Sequence, residues 1–80
     1  MQKIDIYTQD NCEWCDEAKK EFEKRNWNYN LYDINERVHY EKLMSLLSEV
    51  KTVPQIWIDN EHIGGYRELM ERLYGLDRCS

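Results

Sequence analysis

T-V-P-Q-I-W-I-D-N-E-H-I-G-G-Y, residues 52–66, packs several structural signals into one short stretch. Pro54 opens the apolar run Gln55 to Ile58, and proline is tolerated at a strand entry because its missing N–H need not enter the ladder. Asp59-Asn60 is a turn pair, and Glu61-His62-Ile63 returns from it, so the segment predicts a hairpin. Gly64-Gly65 then breaks the strand. A helix is expected from Tyr66, with Leu69, Met70 and Leu73 inward and Gly75 as its stop.

Upstream of the hairpin the periodicity alternates between strand and helix. Ile4 and Ile6 alternate with polar neighbours in residues 3–7, as do Tyr29 and Leu31 in residues 28–33, and both segments suit strands. Between them, from Cys12 to about Arg25, the residues Cys15, Ala18 and Phe22 recur on one helical face, and the helix runs out at Asn26. Leu43, Leu46, Leu47 and Val50 recur at helical spacing in residues 36–49, with Asn35 placed to cap that helix. A β-α-β half requires a parallel pair with a right-handed crossover, whereas the hairpin contributes antiparallel strands. The expected architecture is therefore α/β, in the order β-α-β-α-β-β-α, a mixed sheet flanked by helices.

At 80 residues the chain is expected to be a single domain, residues 1–80, whose core is thin. A formal charge of −5 disfavours nucleic acid, because a phosphate backbone rewards clustered Lys and Arg. The basic residues Lys19, Lys20, Lys24 and Arg25 are interleaved with Glu17, Glu21 and Glu23, which reads as a solvated helix face laced with i,i+4 pairs. No apolar run is long enough to span a membrane and the first residues lack an apolar signal core, so the expectation is a cytoplasmic protein without a membrane partner.

The chemistry is carried by N-C-E-W-C, residues 11–15. Two thiols three residues apart admit three uses: a zinc half-site, a structural staple or a redox pair. Zinc needs two further ligands, ordinarily a second closely spaced pair. None is present, and His39, His62 and Cys79 are scattered in sequence. At a helix start the first thiol lies near unpaired N–H groups that stabilise a thiolate, which makes Cys12 the nucleophile. Cys15, one turn in and on the apolar face, is suited to resolve a mixed disulfide formed at Cys12. His39 and His62 are read as surface decoration of the second helix and the hairpin, and Cys79 as a near-terminal thiol without a role.

Taken together, Y-T-Q-D-N-C-E-W-C-D-E-A-K, T-V-P-Q-I-W-I-D and H-I-G-G-Y-R-E-L resemble a glutaredoxin over essentially the whole chain. That resemblance implies a minimal thioredoxin fold, with a four-stranded mixed sheet and three helices. It also implies a cis bond at Val53-Pro54 facing the cysteines, with the backbone of Val53 free to pair with an extended glutathione or peptide. By the same resemblance, Gln9, Trp14, Thr52, Val53, Pro54, Gly65, Tyr66 and Arg67 form a glutathione cleft, the last helix offering its N-terminus to the γ-glutamyl carboxylate. The implied activity is glutathione-dependent reduction of protein disulfides and glutathione mixed disulfides by a monomer, with ribonucleotide reductase among its protein partners. Glutathione is a co-substrate, and no tightly bound cofactor or metal is expected.

The chain departs from the common family pattern at three places. Glu13 and Trp14 stand where proline and tyrosine are usual, and a carboxylate beside Cys12 opposes its thiolate. Gln9 replaces a frequent lysine, so the glycine carboxylate of glutathione loses a charge partner there. Arg67 either supplies that charge through a bidentate pair or sits in solvent. Two alternative functions accompany the first: a glutaredoxin-like donor reduced by thioredoxin reductase, to which G-Y-R at residues 65–67 also fits, and a metal or iron–sulfur cluster module.

Overall fold

A computed structural model describes residues 3–47 and 52–75. Among the described residues, the order is β1 (Ile4–Thr8), α1 (Glu13–Lys24), β2 (Asn30–Asp33), α2 (Arg37–Leu46), β3 (Gln55–Ile58), β4 (Glu61–Gly64) and α3 (Tyr66–Tyr74). The strands form one sheet in the order β2-β1-β3-β4, with β1 parallel to β2 and antiparallel to β3, and β3 antiparallel to β4. This is the four-stranded mixed sheet with three helices that the resemblance implies, in the element order the pattern predicts.

The register explains the burial. Ile4 lies opposite Ile58 and Ile6 opposite Ile56, so four branched side chains meet on one face of the two central strands. Ala18 and Phe22 of α1 and Leu69 of α3 close over them, all buried. Each large side chain so buried contributes roughly 1.5–3 kcal/mol. At the rim, Trp27, Tyr29, Ile63, Tyr66, Met70 and Leu73 pack against the cluster. The opposite face is aromatic and polar: Tyr7 stacks on Tyr32 at 4.9 Å, meets Trp57 edge-on at 5.5 Å, and Trp57 lies against His62 at 4.6 Å. Here α2 adds His39, edge-on to Tyr32.

Turn chemistry fixes the hairpin. Asp59 and Asn60 both adopt positive φ, 53° and 68°, the left-handed pair that a two-residue hairpin turn requires. The Asp59 N–H donates to the Lys3 carbonyl at 2.7 Å, and the Lys3 N–H donates to Asp59 Oδ1 at 2.8 Å. In β4 the register shifts between Ile56 and Trp57, leaving Ile63 as the extra residue. Gly64 follows at φ +118°, a conformation side chains rarely adopt, and a Cβ there would stand 3.0 Å from Cγ of Glu68.

Four expectations need correction. The N-cap of α2 is Glu36, not Asn35: the Asp33 carboxylate accepts the Asn35 N–H at 2.9 Å, which keeps Asn35 in the turn before the helix. Leu31 is exposed because β2 is an edge strand. Leu46 is likewise exposed while Leu43 alone of α2 is fully buried; Val50 lies outside the described residues, as does Cys79. On α1 the charged face is built mainly at i,i+3, through Asp16–Lys19, Glu17–Lys20 and Glu21–Lys24, with Glu21–Arg25 at i,i+4.

Candidate active site

The carboxyl end of β1 delivers the chain through residues 9–11 to the start of α1, where Asn11 takes a positive φ of 58° and Cys12 becomes the N-cap. An N-cap residue is extended, and its side chain normally accepts from the helix's first free N–H groups. Cys12 does this with sulfur: Cys15 N–H donates to Cys12 Sγ at 3.1 Å. That position places the sulfur at the positive end of the helix, which favours its thiolate when the pair is reduced. Cys15, one turn in, is 1% exposed, whereas Cys12 is only partly covered. The two sulfurs are joined as a disulfide, with Cα atoms 5.2 Å apart.

The loop before β3 forms the facing wall. Val53-Pro54 is cis, as expected, and the Val53 carbonyl oxygen lies 3.7 Å from Cys12 Sγ. Beside it opens a groove of about 680 Å³ lined by Trp14, Thr52, Val53, Pro54, Gly65, Tyr66 and Arg67, together with Glu68, Met70 and Glu71 of α3. Trp14 is 58% exposed and stacks its indole on Tyr66 at 5.1 Å, so the residue between the cysteines and the first residue of α3 make one aromatic ledge. Burial holds the Tyr66 hydroxyl above its ordinary pKa, with Glu21 and Glu17 adding to the effect, so the ledge is neutral at physiological pH.

Seven of the eight residues assigned to the cleft line this groove, and Gln9 does not. Arg67 is there but is 86% exposed, its Nε 3.4 Å from Glu71 Oε2, so its charge is engaged along the helix. Sequence reasoning missed Glu68, whose Oε1 accepts the Gly65 N–H at 2.9 Å. Its signal was present: an acid three residues after a helix N-cap is half of a capping box. Also missed was the environment of His62. His62 sits exposed on the hairpin, as expected, but its Nε2 also lies 2.8 Å from Oε1 of Gln55. Among the described residues, no group of three or more His, Cys, Asp or Glu could hold a metal ion.

A disulfide-forming pair at a helix start, a facing loop and an adjoining groove match what comparison with known proteins finds. The family model described as Glutaredoxin matches residues 4–63. Glutaredoxin 3 of Escherichia coli strain K12 is 34% identical over 77 residues, covering 96% of this chain and 88% of that protein. Glutaredoxin 1 from Francisella tularensis, crystallised with cacodylate, superposes with a TM-score of 0.75 at 34% identity, over 98% of this chain and 100% of that one. The buckwheat glutaredoxin–glutathione complex shares the fold with a TM-score of 0.78 at 22% identity, over 92% and 70% of the two chains.

Proposed function

Since the chain belongs to the glutaredoxin family of thiol-disulfide oxidoreductases, we propose that it reduces protein disulfides and glutathione mixed disulfides with electrons from glutathione. The observation that carries this reading is Cys12 as the N-cap of α1: its sulfur accepts the Cys15 N–H and faces the Val53 carbonyl at the mouth of the groove. The glutathione complex of the buckwheat glutaredoxin supports glutathione as the small thiol.

In this mechanism the Cys12 thiolate attacks one sulfur of a protein disulfide, forming a mixed disulfide and releasing the other substrate sulfur as a thiolate that takes up a proton. Cys15, deprotonated in turn, attacks Cys12 Sγ. The second substrate sulfur leaves, and the Cys12–Cys15 disulfide is the oxidised product. One glutathione opens it by bonding to Cys12 and freeing Cys15; a second attacks the glutathione sulfur, so oxidised glutathione departs and Cys12 is again a thiolate. Val53 offers its backbone to the extended chain of glutathione or a peptide, while Thr52, Pro54 and the Trp14–Tyr66 ledge wall the groove. Gly65, Tyr66 and Arg67 start α3, toward which the γ-glutamyl carboxylate points. A ribonucleotide reductase disulfide falls within the proposed substrate range, and a reducing cytoplasm is the compartment that suits the cycle.

A second reading, reduction by a thioredoxin reductase, is favoured by one observation. The groove's Arg67 is paired with Glu71, and the Gly65 N–H is already taken by Glu68, which leaves little positive potential for an anionic tripeptide. Paired assays decide between them: glutathione with its reductase against thioredoxin reductase, each with wild type, Cys12→Ser and Cys15→Ser. The proposed reading expects glutathione to support turnover and Cys12→Ser to abolish it. Cys15→Ser should lose protein-disulfide reduction while still removing glutathione from mixed disulfides. Turnover only with thioredoxin reductase would transfer the chain to the second reading.

A further inference from the structure

Behind the loop that faces Cys12 lies a side-chain relay that the mechanism above does not use. Gln55, 9% exposed, sits on the central strand β3 opposite Tyr7. Its Nε2 donates to the Thr52 carbonyl at 3.0 Å, and its Oε1 lies 2.8 Å from Nε2 of His62 on β4. The donor roles are forced in sequence. A backbone carbonyl only accepts, so the amide NH₂ must point to Thr52. Oε1 then faces His62, and an amide oxygen also only accepts, so His62 carries its proton on Nε2. The imidazole is itself held by the indole of Trp57, ring centroids 4.6 Å apart.

We propose that Gln55 and His62 are positioning residues: the His62–Gln55–Thr52 relay holds the 52–54 loop so that Val53 stays in register to pair with a substrate backbone beside Cys12. This rests on the reading that substrates pair along Val53. Neither residue touches the reacting sulfurs. Their effect therefore falls on binding of substrates that have a peptide backbone, and it leaves the thiolate chemistry of Cys12, set by α1, unchanged.

The test uses pre-reduced protein in single turnover against a peptide disulfide, with the released peptide thiol quantified after acid quench as the signal, so the outcome does not depend on which reductant serves in the cell. Gln55→Met keeps the volume and loses both hydrogen bonds. Gln55→Glu can still accept from His62 but turns a carboxylate toward the Thr52 carbonyl. Both should raise the half-saturation concentration about five- to tenfold, the scale of one buried hydrogen bond, with the limiting rate within about twofold of wild type. His62→Phe retains the stacking and loses the donor, so a rise of about two- to threefold is expected; His62→Gln, which restores a donor, should recover most of it. In wild type the Gln55 side-chain NH₂ protons should exchange slowly with solvent, and faster in His62→Phe.

A peptide N-methylated on both sides of its cysteine separates the two levels of the reading. If wild type handles it like the unmodified peptide, backbone pairing along Val53 fails and the relay's role falls with it. If wild type discriminates and the Gln55 variants discriminate equally, with unchanged half-saturation, the relay alone is overturned. Should the Gln55 variants not fold, equal behaviour of His62→Phe and wild type overturns it by itself.

Discussion

On one face of β1 and β3, four isoleucines stand in two opposed pairs beneath α1 and α3; on the other, the alternate positions of the same strands carry Asp5, Tyr7, Gln55 and Trp57. The first face is a dispersion-packed core whose members are interchangeable in kind, and its value scales with the area it hides. The second is a set of individually satisfied polar and aromatic contacts, and among the described residues no buried side-chain nitrogen or oxygen lacks a partner. Stability is concentrated on the first face. The loop opposite Cys12 is tied to the second, through Gln55 and its partner His62.

The largest effect expected is on the aliphatic face. Phe22→Ala should cost about 3–5 kcal/mol in denaturant melts, with exchange rates per folded molecule unchanged. Next comes the joint between hairpin and α3. Gly64→Ala places a methyl against Glu68 at a left-handed φ and should cost on the order of 2 kcal/mol, displacing Glu68 from the Gly65 N–H; loss of stability without any change in the groove would separate the joint from the site.

A smaller effect is expected where α1 meets α3. The Arg25 guanidinium, 2.7 Å from Glu21 Oε1, holds the Glu21 carboxyl below its ordinary range, and the Tyr74 hydroxyl donates to the same oxygen at 2.8 Å. Because the folded pKa is depressed, this contribution is present above the unfolded carboxylate pKa and is lost as pH falls through the folded one. Glu21→Gln should therefore cost about 1 kcal/mol at neutral pH and flatten the acid limb of a stability–pH curve. The smallest effect belongs to the aromatic face: Tyr32→Phe gives up only a 3.4 Å bond to Asp5 and should shift stability by less than about 0.5 kcal/mol. A cost rivalling that of Phe22→Ala would erase the distinction between the faces.

Much of this was legible because it is local. C-x-x-C at a helix start, T-V-P before a strand, Asp-Asn at a turn and Gly-Gly before a helix each declare themselves within a few residues. Seven of the ten residues that line the groove belong to those segments. What periodicity cannot give is the order of strands, so the alternation of Tyr29 and Leu31 gave no sign that β2 is an edge and Leu31 exposed. Nor could it place Asn35 in the turn before α2, since the competing acceptor was the Asp33 side chain two residues back. Gln55 and His62 are joined only once the hairpin folds, and their hydrogen bond leaves no trace in the spacing of either strand.

Cys12 and Val53 are 41 residues apart in the chain, and they meet only because β1 pairs antiparallel with β3, Ile4 with Ile58 at one end and Tyr7 with Gln55 at the other. Closing so long a loop is an entropic cost met before its contacts return anything, whereas α1 and the β3-β4 hairpin can form from neighbours. On refolding, helical signal should thus precede recovery of exchange activity. A nascent chain then has its nucleophile at the start of α1 before the facing wall exists, so substrate binding, rather than the thiol's own reactivity, arrives with completion of the fold.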